Sequence, residues 1–256
     1  MTEQKMLRLA LPKKGRLKDD FTNTMNQAAL DITIGDRLDY GVLRDQSDAI
    51  ERCEVLLQRP VDALENIQDG LNDMALVGLD QFIEARERIE ARGETCSFEV
   101  SAVFNSAACG LYIAAPENAP ITKPAQISGK TIATSYPATL RRWLQAQNID
   151  DVKIIARDGG IEDYVRLGLA DAVCDIVQTG GTLQANGLSA TLCLYRSSSV
   201  MVRATQMSAA FKEQSAAITA RLLEAQPQDE LKDALKDARA NEQAQTWPSF
   251  GVLAAG

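Results

Sequence analysis

Short apolar runs and longer stretches with apolar residues three and four apart alternate along this chain. The runs at residues 7–11, 54–57, 74–77, 130–134, 152–156, 172–177, 191–195 and 200–203 predict strands. The stretches at 17–29, 60–68, 81–92, 138–147, 161–167 and 207–225 predict helices. Pro60 and Pro137 suit a first helical turn, and Gly70 suits the position just past a helix end. Residues 98–115 are largely apolar, and Asn105-Ser106-Ala107-Ala108 breaks them where the chain crosses between domains. Signs alternate along 81–92, which reads as a solvated helix face. Strands alternating with helices predict an α/β fold with mostly parallel sheets and helices on both faces. Ligands in such folds sit at the carboxyl ends of strands.

Three junctions at such ends carry chemistry. The strand at 172–177 runs into Thr179-Gly180-Gly181-Thr182-Leu183 and then a helix-compatible stretch. A helix N-terminus has unpaired N–H groups and the positive end of the dipole, which suits a phosphate. The glycines let the backbone approach an anion, and the threonines add hydroxyl donors. Asp175, four residues before Thr179, is placed to accept from sugar hydroxyls beside that phosphate. A plain glycine turn is the alternative for this segment alone. Lys13, Lys14 and Arg16 surround Gly15 at a second junction, as an anion site or as a solvated basic turn. Ser135-Tyr136-Pro137 forms the third.

Composition narrows the field. The chain has 256 residues, 45% hydrophobic and 24% charged, ordinary for a globular protein. No apolar run approaches about 18 residues and no leader pattern opens the chain, so a cytoplasmic protein is expected. A net charge of −8 disfavours nucleic acid, and an anionic ligand then needs a locally basic pocket. The chain has no histidine, which excludes Ser-His-Asp chemistry, histidine bases and most zinc sites. Five scattered cysteines without C-x-x-C spacing read as reduced thiols.

Four segments agree in order with one known family. They are Leu9-Ala10-Leu11-Pro12-Lys13-Lys14-Gly15-Arg16-Leu17, the stretch from Asp69 to Gly78, Ile132-Ala133-Thr134-Ser135-Tyr136-Pro137, and the stretch from Gly168 to Leu188. Over roughly residues 6–205 the chain resembles ATP phosphoribosyltransferase, the first enzyme of histidine biosynthesis. The resemblance implies two α/β domains like those of periplasmic binding proteins, with the site in the cleft. Domain I would take 1–105 plus 187–225 and domain II 106–186, leaving the tail 226–256 unassigned. It implies the joining of N1 of ATP to C1 of phosphoribosyl pyrophosphate (PRPP), with release of pyrophosphate.

The same resemblance assigns roles. Thr179, Gly180, Gly181, Thr182 and Leu183 would hold the 5-phosphate, and Asp175 with Glu162 the ribose hydroxyls. Lys13, Arg16, Arg37, Arg59 and Tyr136 would face ATP or pyrophosphate, with Arg16, Arg37 and Asp175 as the catalytic set. Mg²⁺ would arrive on pyrophosphate, and no metal ligand or general base is nominated. The length matches the short form of the family, which implies a homodimer of catalytic chains working with a histidyl-tRNA-synthetase-like regulatory subunit, and neither nucleic acid nor membrane as partner.

Each role has a plainer alternative. A surface ion pair would account for Arg37 or Arg59, a helix first-turn acid for Glu162, and a packed turn residue for Tyr136. The chain also departs from the family pattern. Cys174 stands where a first acid is common, Gly110 where a basic residue is common, Ala75 for a glycine and Val165 for a proline. Gly110 is expected to cost a phosphate contact and Ala75 to narrow the cleft by a methyl. A non-catalytic PRPP- or nucleotide-binding paralogue and a solute-binding module of the same fold are the competing readings.

Overall fold

The computed structural model describes residues 5–35, 39–227, 232–234 and 236–237. In chain order the elements are β1 (Arg8–Pro12), α1 (Arg16–Gln27), β2 (Leu30–Ile34), β3 (Tyr40–Asp45), β4 (Cys53–Gln58), α2 (Pro60–Gln68), β5 (Met74–Gly78) and α3 (Leu79–Ala91). Then come β6 (Phe98–Pro116), β7 (Thr131–Thr134), α4 (Pro137–Ala146), β8 (Lys153–Ala156), α5 (Glu162–Arg166), β9 (Ala172–Val177), α6 (Gly181–Ala185), β10 (Leu188–Ala204) and α7 (Ala209–Glu224). Pro60 and Pro137 open their helices, and Gly70 stands just past α2 at φ +73°.

The ten strands form one sheet, in the order β2-β3-β4-β1-β5-β10-β6-β9-β7-β8. It is mixed rather than mostly parallel. Pairings of β1 with β4 and β5, and of β7 with β8 and β9, are parallel, as βαβ crossovers require. The antiparallel ladders come from the β2–β3–β4 meander and from β6 and β10, two long strands lying side by side. Sequence reading missed β2 and β3, because β2 is an edge strand whose residues past Leu30 are partly or fully exposed. It also split β10 in two. Polar Arg196, Ser197, Ser198 and Ser199 interrupt the apolar pattern without interrupting the strand.

Alternation along the strands packs both faces of the sheet. Leu9 and Leu11 of β1, with Met74 and Leu76 of β5, join Phe21, Met25, Ile218 and Leu222 from α1 and α7. Ala10, Ala75 and Val77 face the other way, onto Leu64, Ile67, Phe82 and Ile83 from α2 and α3. Ala75 is fully buried in that layer, so its methyl lies in the core and not in a cleft. A smaller cluster, including Val173, Ile161 and Leu183, packs under α5 and α6.

Register fixes where the strand ends meet. Ser199 of β10 lies beside both Gly78, at the end of β5, and Phe104 of β6. Gly110 of β6 lies beside both Val177, at the end of β9, and Arg196 of β10. The two parallel strand sets therefore run toward each other. Their carboxyl ends face across a short stretch of β6 and β10, residues 105–109 and 197–198. Ala107 adopts φ +55° there, a left-handed conformation that bends β6, and its N–H donates to Asp20.

Candidate functional site

At the end of β9 the chain turns through Thr179 and Gly180 into α6. Gly180 has φ +77°, a left-handed position that favours glycine. The first intrahelical bond runs from the Gln184 N–H to the Gly180 carbonyl at 3.0 Å, so the amides before it stand at the open end of the turn. The helix expected here is only five residues long, so loop amides and hydroxyls matter more than a macrodipole.

Asp175 lies on β9 opposite Tyr112, with one carboxylate oxygen accepting from the Ile176 N–H at 2.8 Å. Its pKa is pushed up to about 6 by burial, and the negative charges of Glu162 and Asp80 add to the rise. Asp175 and Glu162, named together from sequence, are thus close enough to repel each other. Asp80 was not foreseen as their neighbour.

The basic candidates fall at other strand ends. Lys13, just past β1, pairs with Asp39 at 2.5 Å. Arg16 opens α1 and bonds Asp20 at 3.2 Å, and its charge reaches Cys109. That thiol is pushed up to about 12 by burial and by Asp80, with Arg16 acting in the opposite sense. Arg59, past β4, forms a two-pronged pair with Asp62 at 2.8 Å and feels Asp158, which follows β8 in the other half of the sheet. Arg37 lies outside the described residues. Tyr136 is buried, its hydroxyl donating to Asp80 at 2.8 Å and accepting from Gln81 at 2.7 Å. Its hydroxyl is thus held by Asp80 and Gln81, and it is not among the residues lining the cavity beside the turn.

A cavity of about 430 Å³ opens beside the loop. Thr179, Gly180 and Leu183 line one side, Asn105 and Cys109 of β6 the floor, and Arg196 and Ser197 of β10 the other side. Asp233 and Asp237, from the tail left unassigned by sequence, also line it. Two carboxylates beside a phosphate-type loop compete with an anionic ligand. The double change Asp233→Asn with Asp237→Asn is expected to lower the KM for a phosphorylated sugar about threefold, measured in initial-rate assays.

Beneath the floor lies a buried network that the sequence reading missed, having assigned 81–92 to solvent. Ser197 Oγ donates to Asp80 Oδ1 at 2.8 Å and accepts from the Asp80 N–H at 3.0 Å. Glu84, one turn on, accepts from the Ala138 and Thr139 N–H groups at 3.1 and 2.8 Å, capping α4 from outside. Burial raises the Glu84 pKa. The available signal was Asp80 following Gly78-Leu79 at a strand end, with Asp80 and Glu84 on one face of α3 four residues apart.

Opposed parallel strand sets around a central crossing define an α/β protein of the periplasmic-binding-protein type. Among solved structures, the chain is similar to the BvgS VFT2 domain of Bordetella pertussis (16% identity, 90% of this chain and 91% of that chain, TM-score 0.53). It is similar to the alkanesulfonate-binding protein SsuA of Xanthomonas axonopodis, bound to MOPS (12% identity, 97% and 82%, TM-score 0.52). It is also similar to a chain of the ATP phosphoribosyltransferase HisG:HisZ complex of Thermotoga maritima (20% identity, 86% and 98%, TM-score 0.65). A family profile described as HisG: ATP phosphoribosyltransferase matches residues 59–224. The chain belongs to that phosphoribosyltransferase family.

Proposed function

We propose that this chain catalyses attack of N1 of ATP on C1 of PRPP, giving N1-(5-phosphoribosyl)-ATP and pyrophosphate. The observation that carries the reading is Asp175, on the strand that runs into the Thr179–Gly180 turn, with Glu162 near enough to raise its pKa, where two sets of strand ends converge. Departure of pyrophosphate leaves oxocarbenium character on the ribose and negative charge on the leaving group. Two carboxylates at the ribose steady the first, and cations at facing strand ends steady the second. Arg16 and Arg59 suit that second role, since their fields reach Cys109 and the side of Asp158.

Mg²⁺ belongs to the same reading. Among the described residues no group of three or more carboxylates, cysteines or histidines is arranged to hold a metal ion. Mg²⁺ commonly binds through one or two carboxylates plus substrate phosphates, and Asp175 with Glu162 meets that requirement. The ion supplies charge neutralisation on pyrophosphate.

In this reading the second lobe begins near residue 106, and the return crossing lies near Ser197 rather than at 187, because β10 pairs with β6 on the β9 side up to that point. A regulatory partner resembling histidyl-tRNA synthetase belongs to this reading, supported by the Thermotoga neighbour, which was itself solved as a HisG:HisZ complex. A homodimer of catalytic chains and a cytoplasmic location complete the proposal.

Titration calorimetry with PRPP tests the ligand. Wild type is expected to bind PRPP, and Thr179→Ala to bind it about tenfold more weakly. Failure of the wild type to bind PRPP would contradict the proposal. The pH profile tests the carboxylate. Asp175 works ionised, so kcat/KM is expected to rise with pH up to about 6 and level off above it.

A further inference from the structure

The loop cavity is short of cations. Lys13, Arg16 and Arg59 do not line it, and Glu117, Asp233 and Asp237 do. Among the described residues that line it, Arg196 is the one cation. It comes from β10, a strand that neither the motif reading nor the mechanism above draws on.

The ladder puts Arg196 at a specific level. Arg196 pairs with Gly110 of β6, and Gly110 pairs with Val177, one residue before the loop starts at Gln178. Arg196 therefore stands two strands across from the root of the turn, on the same rung. Adjacent strands lie about 4.8 Å apart, so the gap is about 10 Å, which an arginine and a bound phosphate together fill. The intervening position is held by a glycine. A Cβ on Gly110 would lie 2.7 Å from Tyr112 Cε2 and 3.2 Å from the Tyr195 carbonyl oxygen, so a side chain there would have to displace the Tyr112 ring. In this chain the cation on this rung comes from the neighbouring strand.

Arg196 is solvent-exposed, and its field reaches the hydroxyl of Tyr112, another residue of the cavity wall. Burial and Cys193 raise the Tyr112 pKa, and Arg196 acts in the opposite sense. The guanidinium thus acts on the cavity side of the ladder. A guanidinium also matches a phosphate in shape, offering two parallel N–H donors.

We propose that Arg196 is the cationic partner of the sugar phosphate seated on the Thr179–Gly180 turn, and so a residue that selects phosphorylated ribose in this cavity. The proposal rests on the PRPP reading above for the identity of the ligand, and on the cavity and ladder for the residue. The turn supplies amides and hydroxyls from β9, and Arg196 supplies charge from β10.

The test is titration calorimetry on the full chain with ribose 5-phosphate, PRPP and ATP, comparing wild type, Arg196→Ala and Arg196→Lys. Ribose 5-phosphate carries the 5-phosphate without pyrophosphate, so it isolates the contact. Arg196→Ala is expected to weaken ribose 5-phosphate and PRPP about tenfold or more, with ATP changed less than about twofold. Arg196→Lys is expected to restore about half of the lost binding free energy, because charge returns without the two-pronged fit. Thermal unfolding of each variant is recorded alongside, and affinities are compared at a temperature where all three chains are folded. Unchanged ribose 5-phosphate and PRPP affinity in Arg196→Ala, with wild type binding PRPP, would overturn this assignment and leave the PRPP reading standing. A wild type that binds neither ligand would overturn both.

Discussion

Asp175→Asn is expected to lose about 10²- to 10³-fold in kcat/KM and, at pH 8, to unfold at a higher temperature than wild type. Both effects have one origin. Asp175 is pushed from its ordinary 3.8 to about 6 by burial and by Glu162 and Asp80, so the folded protein resists the negative charge that the reaction uses. The sign follows from linkage. A raised folded-state pKa means that stability is fully present below about 3.8 and is lost as pH rises through about 6. At pH 8 the ionised carboxylate costs on the order of 3 kcal/mol by its shift alone. Partial exposure and the accepting bond to Ile176 N–H, which Asn retains, reduce the expected gain to about 1–2 kcal/mol. For a chain of this size that is a rise of about 3–6 °C. At pH 5, between the two pKa values, the unfolded carboxylate is still ionised, so about half of the difference is expected to remain, and it vanishes only below about 3.8. Thermal unfolding at the two pH values reads this directly, and a variant destabilised equally at both would show that the carboxylate is structural.

The second large effect falls on Asp80. Asp80→Ala is expected to cost about 3 kcal/mol, a fall of roughly 6–12 °C, because it leaves the Ser197 and Tyr136 hydroxyls without their acceptor in the interior. Asp80→Asn is expected to recover little. Ser197 Oγ already accepts the Asp80 N–H, so its proton points at Oδ1. Tyr136 OH already accepts from Gln81, so its proton points at Oδ2. Both carboxylate oxygens face fixed donors, and an amide NH₂ in either place meets another donor. Asp80→Asn also removes a negative charge beside Asp175, so the rise of kcat/KM with pH is expected to move to lower pH. A variant with Asn at 80 as stable as wild type, with an unmoved profile, would show that the network does not hold the site.

What the sequence revealed, and what it hid, follows from the range of the interactions. β9 and its glycine turn were legible because the apolar run, Asp175, the threonines and the glycines lie within about ten residues of one another. Helix starts at Pro60 and Pro137 were legible for the same local reason. The long antiparallel core was not, since a serine-rich patch on β10 looks like a loop until β6 lies beside it. Glu84 looked like a surface charge and Asp80 drew no reading, because their partners, the start of α4 for one and Ser197 and Tyr136 for the other, are more than 50 residues away in sequence. Arg196 shows the same limit, since only the ladder brings it level with Gly110.

The most direct test of the enzymatic account is product formation. ATP, PRPP, Mg²⁺ and pyrophosphatase are mixed with the full chain, with and without a histidyl-tRNA-synthetase-like partner, and N1-(5-phosphoribosyl)-ATP is followed by its absorbance. The account predicts product in wild type and a loss of about 10²-fold or more in Asp175→Ala that is folded by thermal unfolding. PRPP binding without product, even with the partner present, would contradict it and leave a phosphoribosyl-binding protein built on this fold.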